Sequence, residues 1–336
     1  MRMVGKNLVI QVNGQPTDDV PEDEAHRLTK PEESKPIEQQ PSPSSLTPRV
    51  ISSIDDMPVD QFPMLNRVLN AFRQFEHRQR FAVAMNLNRE VANDELIILN
   101  RHVNVQLDAC TSHSACLFIM EILEGAVMTV DQRMSMLKAC SHQVAMAHKF
   151  SLNTRFCPTR GDSRVVSFLN LYYDVNKLEA FFDADDPPNV EVIRPLCIAG
   201  HRAIERARIF GPTFMEGVAH MAIVVFEELE RQLIVHETIS VLRDRLYGEL
   251  GEYLAQTHQS VAAASIRLIR LTSFVYENKT MTSTQNDVYS IADIFLPLFR
   301  QRYWKFLESE GVPANDPIPF PTADFIRQIS ESHTQQ

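Results

Sequence analysis

Apolar residues recur at the spacing of an α-helix along most of the chain from about residue 60 onward. Runs in which apolar and polar residues alternate, as they do in half-buried strands, are not present there in any number. The pattern therefore predicts an all-α domain. The predicted helices cover residues 107–124, 130–152, 174–183, 189–210, 213–230, 233–257, 261–277 and 285–309, and Pro297 is expected to bend the last of them or to shift its start.

The helix that begins near residue 130 is apolar on almost every side. Thr129 and Gln132 form a capping-box pattern, in which each side chain bonds the backbone N–H of the other residue. After Arg133 the residues as far as His148 are mostly apolar, and Lys138 is the only firm charge among them. A helix without a polar face must lie between other elements, so we expect this helix to be enclosed from both sides.

The later part of the chain contains a second capping box and a turn region. Thr213 and Glu216 have the same capping spacing, and the apolar residues that follow share one helical face. Residues 156–171 contain Pro158 and a Gly-Asp pair before an apolar run, which predicts a short turn and a small β-hairpin.

Composition divides the chain into three regions. Residues 1–58 are predicted to be a disordered, acidic and proline-rich arm, because 14–49 contain seven prolines and almost no large apolar side chains. Residues 59–310 are predicted to form a helical domain of the ligand-binding type, and 311–336 a tail that has room for a short terminal helix. The net charge of −10 argues against direct DNA contact by this chain. No apolar run is long enough for a membrane span or a signal peptide, so we expect a soluble intracellular protein.

The residues offer little chemistry for a metal site or for catalysis. The chain has five cysteines and no Cys-x-x-Cys pair, which excludes ordinary zinc fingers. Cys110, His113 and Cys116 spread over a third of a helix circumference without a fourth ligand, so buried thiols are favoured over a metal site. The acidic run at 183–186 has no second acidic cluster for Mg²⁺-diphosphate chemistry, and no phosphate-binding or nucleophile motif occurs. We expect neither an enzyme nor a cofactor.

The order of these parts resembles the ligand-binding domain of the nuclear hormone receptors, especially the divergent nematode-type members. The Thr213-x-x-Glu216 helix is similar to the eighth helix of that family. The family signature Asp-Gln-x-x-Leu-Leu-Lys appears with one extra residue, from Asp131-Gln132 to Leu137-Lys138. The segment from Arg243-Asp-Arg to Tyr253-Leu254 is similar to the ninth helix, and an Arg-led helix follows at Arg267.

The resemblance implies a three-layer antiparallel helical sandwich with a small β-hairpin, which encloses an apolar ligand cavity. The zinc-finger DNA-binding domain of the family does not occur in this sequence, so we expect either that the chain reaches DNA through a partner or that it is a fragment or isoform of a longer product. The side chains implied to line the cavity are Cys116, Met120, Leu123, His142, Met146 and Phe156. The alternative is that these side chains simply fill the core. Leu152 stands where the family often has an arginine for ligand carboxylates, so an acidic ligand loses its usual anchor.

The resemblance also implies a groove for coregulator proteins and contacts between helices. The groove residues are Met134, Leu137 and Lys138 on one helix and Asp324, Phe325 and Ile326 on the terminal helix. The lysine that usually closes the groove is replaced by Ile119 or Met120, which should weaken peptide binding. Glu216 and Arg267 are implied to form a buried ion pair, unless the capping box alone occupies Glu216. The surfaces at 260–276 and 287–302 are implied to form the dimer face.

The resemblance implies a nuclear receptor-like transcription regulator in the nucleus, and without the resemblance the expected location is the cytoplasm. Its expected partners are a small lipophilic ligand, coregulator proteins, and a second receptor in a homo- or heterodimer. The alternative is a helical protein-interaction scaffold that is independent of ligand, and an α-helical enzyme is a third reading. A membrane is not an expected partner.

Overall fold

The structure, a computed structural model, describes residues 61–182, 187–232, 234, 237–258 and 260–295. Within these ranges the chain forms eight α-helices and three short β-strands. The helices are α1 (Pro63–Leu87), α2 (Arg101–Ile122), α3 (Val130–Phe156), α4 (Glu179–Phe182), α5 (Pro187–Phe210), α6 (Phe214–Arg231), α7 (Glu237–His258) and α8 (Val261–Phe295). The strands are β1 (Ile97–Ile98), β2 (Arg164–Phe168) and β3 (Leu171–Asp174). The predicted arm 1–58, the acidic run 183–186 and the tail 311–336 lie outside the described residues.

The all-α class predicted from the sequence is confirmed, with a small sheet added to the helices. The largest apolar cluster, called the main core below, takes side chains from α1, α2, α3, α6, α7 and α8. Phe62, Phe72, Phe75, Phe118 and Phe226 are its largest fully buried side chains. Complete burial of one such side chain contributes about 1.5–3 kcal/mol to folding.

Helix α3 is enclosed, as its apolar sequence predicts. The Thr129–Gln132 capping box is formed in both directions at its start. Nearly every side chain from Met136 to Asn153 is buried or half-buried. Helices α2 and α6 pack against α3, and α5, α8 and β2 also contact it. The exposed part of α3 is limited to its first turns, where Val130 and Asp131 lie.

Two helix starts depend on side chains that accept backbone N–H groups. The Glu249 carboxylate on α7 accepts the N–H groups of Met64 and Leu65, at 2.7 and 2.9 Å, and so caps α1 from a distant part of the chain. The Asn100 side chain accepts the N–H of Val103 at 2.9 Å. This cap starts α2 at Arg101, before the start at residue 107 that periodicity predicts.

The predicted hairpin is present and has a third strand beside it. Strands β2 and β3 pair antiparallel, and β1 pairs parallel with β3 on its other side. Asn170 adopts φ 66° in the turn of the hairpin, a backbone conformation that asparagine tolerates better than most residues. The Asn153 side chain on α3 bonds both the carbonyl and the N–H of Val166, at 2.8 and 3.0 Å. The sheet is thereby attached to α3.

The predicted helix at 174–183 is wrong for most of its length. Strand β3 continues to Asp174, and the next N–H, that of Val175, donates to the carbonyl of Ser163 at 3.1 Å. The Asp174 carboxylate then accepts the N–H of Asn176 at 2.9 Å. This local bond holds a turn in place of a helix, so only the short α4 remains.

The two predicted helices at 261–277 and 285–309 are one continuous helix, α8, as far as Phe295. The segment between them is rich in Thr, Ser and Asn, which normally favour helix ends. In α8 the hydroxyls of Thr280, Thr282 and Thr284 donate to the carbonyls four residues before them, at 2.9, 2.8 and 2.9 Å. These side chains therefore bond within the helix and do not interrupt it.

Candidate functional site

Glu216 and Arg267 form an ion pair that joins α6 to α8. Glu216 is fully buried, and its Oε2 accepts a hydrogen bond of 2.7 Å from Nη2 of Arg267. The Nε of Arg267 donates to Oε1 of the same carboxylate, so the contact is bidentate. Oε2 also accepts the backbone N–H of Thr213 at 2.6 Å, which completes the capping box. Glu216 therefore takes part both in the capping box of α6 and in the ion pair with Arg267.

Arg267 also holds the end of α5. Its guanidinium donates to the carbonyls of Phe210 and Gly211, at 3.1 and 2.6 Å. The Phe210 ring centroid lies 4.2 Å from the guanidinium carbon, a cation–π contact. A positive charge at a helix C-terminus and a carboxylate at a helix N-terminus both match the helix dipoles. This one side chain therefore fixes the corner between α5, α6 and α8.

The predicted ligand-binding residues fall into several separate apolar clusters. Cys116 and Leu123 are fully buried in the main core, and Met120 is half-buried against it. Met146 belongs to a second cluster, made with α5, α8 and β2. Phe156 packs on a third cluster around Leu152, Cys157, Val166 and Leu169. His142 is buried on α3. The structure does not bring the six residues together in one cluster, and their role in ligand binding stays a prediction.

A buried lysine on α3, Lys149, was not among the predicted site residues. Its Nζ donates to Oε1 of Gln285 on α8 at 3.2 Å and lies 5.7 Å from the centroid of the Phe168 ring. Burial lowers the pKa of Lys149 to about 8, although the charge of Asp108 on α2 acts in the opposite direction. The apolar pattern predicts that the enclosed stretch ends at His148, one residue before Lys149. Lys149 follows His142 by seven residues, and that spacing would have placed it on the predicted ligand face.

Helices α3 and α8 share a second polar contact. The Asn278 amide on α8 donates to the backbone carbonyl and to the side-chain Oε1 of Gln143, at 3.1 and 2.8 Å. The Thr282 hydroxyl, which donates to the Asn278 carbonyl, lies 3.2 Å from the same Oε1. Asn278 is fully buried, so these bonds give α8 one position along α3.

A third polar group ties α1 to α3. Glu76 on α1 accepts a 2.7 Å hydrogen bond from Arg155, and His148 Nε2 lies 3.3 Å from the same oxygen. Burial raises the pKa of Glu76, but the hydrogen bonds and charges of His148 and Arg155 outweigh it and lower that pKa to about 2. Burial lowers the pKa of His148, and the neighbouring Glu76 carboxylate acts in the opposite direction. The group serves to position helices.

The predicted coregulator groove is only partly within the described residues. Leu137 is fully buried, and Met134 and Lys138 on α3 are half-buried. Asp324, Phe325 and Ile326 lie outside the described residues. Sequence reasoning missed the exposed apolar side chains around the start of α3, where Val127 is 73% and Val130 is 42% exposed.

The three residues weighed as metal ligands on α2 are buried. Burial raises the pKa of Cys110 to about 11, and it raises the pKa of Cys116 further, so both thiols remain protonated. In the part of the chain that the structure describes, no group of three or more His, Cys, Asp or Glu side chains is arranged to hold a metal ion.

Comparison with known protein families finds no family that matches this chain, and comparison with curated proteins finds no match either. None of the helices within the described ranges has both the length and the apolar character needed to cross a membrane.

Proposed function

We propose that this chain is a nuclear receptor-like transcription regulator, built on a helical domain of the ligand-binding type. The Glu216–Arg267 contact carries the proposal. The resemblance implied that a Thr-x-x-Glu helix would be joined to an Arg-led helix through these two side chains. Their bidentate contact agrees with that implication, and the two residues are 51 positions apart in the chain.

The proposed architecture is a three-layer antiparallel helical sandwich with α3 in the central layer. Support comes from the burial of α3 between α2 and α6, with α5, α8 and β2 also in contact with it. The small hairpin follows α3 directly, in the order that the resemblance implies.

The proposed partners are a lipophilic ligand, coregulator proteins and a second receptor-type chain, and the proposed location is the nucleus. For the dimer, support comes from α8, where Ile266, Ile269 and Tyr276 are 55%, 64% and 74% exposed. They lie at intervals of three and seven residues, so they share one face of the helix. Exposed apolar side chains grouped in this way are typical of protein interfaces.

A ligand-independent interaction scaffold is the second candidate function. Cys116 and Leu123, two of the predicted ligand-binding residues, are fully buried within the main core, where they contact other side chains. This packing favours a filled interior over an open cavity at that end of α2.

Native mass spectrometry of the full chain purified from cells separates the two candidates. A ligand-binding receptor retains a small lipid as a discrete added mass, whereas repeated purification without one supports the scaffold. Transcriptional activity is tested by joining the chain to an unrelated DNA-binding domain above a reporter gene. A receptor-like regulator changes reporter output, and Arg267→Ala reduces that change. Equal output with and without the chain would contradict the proposal.

A further inference from the structure

The outer face of α1 is positively charged, although the chain as a whole is acidic. The formal net charge of the chain is −10, but the sequence of α1 contains four arginines and a single acidic residue, Glu76. The Glu76 carboxylate is turned toward α3, where it bonds Arg155 and His148. The outer face of α1 therefore carries arginines without a carboxylate from the same helix.

Five exposed residues form a continuous strip on this face, called the α1 strip below. They are Arg73, His77, Arg80, Phe81 and Met85. Neighbouring members lie three or four residues apart, so they stand side by side on one face of the helix. Phe81 and Met85 are 65% and 66% exposed, which is unusual for such large apolar side chains. At the rise of an α-helix the strip is about 18 Å long.

The two arginines of the α1 strip keep their charge uncompensated. Arg80 donates to the side-chain oxygen of Asn93, which is a neutral acceptor. Among the residues that the structure describes, neither Arg73 nor Arg80 has a carboxylate within ion-pair distance. Arg78 at the edge of this face differs, because the charge of Glu121 on α2 acts on it. Arginine, aromatic residues and methionine are the types enriched at protein interfaces, so the composition of the strip is that of a binding surface.

We infer that the α1 strip docks an acidic segment of a partner protein, in which carboxylates and large apolar side chains stand close together. Carboxylates of the segment accept hydrogen bonds from Arg73 and Arg80, a geometry that guanidinium groups favour. Its apolar side chains cover Phe81 and Met85 and remove them from water. The inference goes beyond the proposed function and does not depend on it.

The α1 strip suits a protein segment better than an extended polyanion. Basic clusters that bind membranes contain about 4–8 Lys or Arg residues, and DNA-binding proteins commonly contact about 6–10 phosphates. The strip has only two arginines and one histidine, and the net charge of the whole chain repels a long polyanion. A short peptide senses mainly the strip, because charges more than about 8–10 Å away are screened at physiological salt. A phosphate backbone also supplies no apolar groups to cover Phe81 and Met85.

Fluorescence anisotropy with the full chain and labelled peptides tests the inference. One peptide repeats the unit Asp-Leu-Glu-Phe four times, and a matched peptide repeats Asp-Ser-Glu-Ser four times, so only the apolar groups differ. Single-stranded DNA and vesicles of equal parts phosphatidylserine and phosphatidylcholine are measured beside them. The Asp-Leu-Glu-Phe peptide should bind about tenfold tighter than the Asp-Ser-Glu-Ser peptide, because only the former makes apolar contact with Phe81 and Met85.

Three double variants assign the binding to the strip. Arg73→Gln/Arg80→Gln should weaken binding of the Asp-Leu-Glu-Phe peptide about tenfold, since each exposed ion pair contributes about threefold. Phe81→Ser/Met85→Ser should reduce that affinity to the level of the Asp-Ser-Glu-Ser peptide. The matched control is Arg160→Gln/Arg202→Gln, which removes the same charge from exposed positions before β2 and on α5 and should bind like the wild type.

Equal binding of the two peptides would overturn the inference, and so would equal affinity of Arg73→Gln/Arg80→Gln and the control variant. Tighter binding of DNA or vesicles through the same arginines would assign the strip to a polyanion instead. A dimer in sedimentation that disappears in Arg73→Gln/Arg80→Gln would assign it to a second copy. If circular dichroism shows that Phe81→Ser/Met85→Ser does not fold, the two peptides on the wild-type chain decide the apolar contribution. Ligand retention and reporter output test the proposed function separately.

Discussion

Replacing Arg267 with Ala should destabilise the whole helical domain, because it leaves a carboxylate buried without its cation. Glu216 is fully buried, and Arg267 bonds both of its oxygens and the two carbonyls at the end of α5. Breaking a buried pair from one side costs about 3–5 kcal/mol. Because Glu216 keeps its bond to the N–H of Thr213, we expect the lower value, about 3 kcal/mol, which lowers the folding equilibrium constant on the order of a hundredfold.

Urea unfolding followed by circular dichroism measures this loss, and a double-mutant cycle with Glu216→Gln assigns it to the pair. The double variant should be clearly more stable than the sum of the two single losses implies, since neither charge is then left alone. Arg89→Ala is the matched control, because Arg89 pairs with Glu95 at the surface and its loss should leave the unfolding midpoint unchanged. A loss below about 1 kcal/mol for Arg267→Ala, or full additivity in the cycle, would refute the reasoning.

Two further predictions concern α6. A Cβ on Gly217 would lie 2.9 Å from Oγ and 3.4 Å from Cβ of Ser151 on α3. The Gly217→Ala variant should therefore have a free energy of unfolding in urea about 1 kcal/mol lower than the wild type, although alanine has the better helix propensity. Gly248→Ala has open space on α7 and should gain about 0.5–1 kcal/mol, and equal effects at both sites would contradict the close approach. Burial lowers the pKa of His220 from 6.5 to about 4, so the unfolded chain binds its proton first as the pH falls. The free energy of unfolding should therefore fall by about 3 kcal/mol as the pH is lowered from 6.5 to 4. The His220→Phe variant should not show this pH dependence in the same urea unfolding assay.

Features that depend on neighbouring residues were predictable from the sequence. The capping boxes at Thr129 and Thr213 lie where the spacing placed them, because their partners are three residues away in the chain. The enclosure of α3 also followed from its composition, since a helix without a polar face cannot be stable at the surface. The helix predictions were wrong at 174–183 and at 277–285. At both places, Asp174 and the threonines of α8 can form either of two local hydrogen-bonding patterns, one that interrupts a helix and one that is compatible with it.

The candidate site depends on contacts that no local pattern encodes. Glu249 caps a helix 184 and 185 residues away in the chain, and Lys149 meets Gln285 across 136 residues. The resemblance pointed to the Glu216–Arg267 pair, but it did not reveal that Arg267 also holds the end of α5.

By itself, the sequence determined that the domain is mostly helical, where two of its helices begin and which one is buried, because capping and periodicity act within one or two helical turns. Only the tertiary structure decided which distant polar side chains meet in the interior. Those pairings depend on how whole helices pack, and the cost of leaving a buried charge or donor without a partner makes them specific.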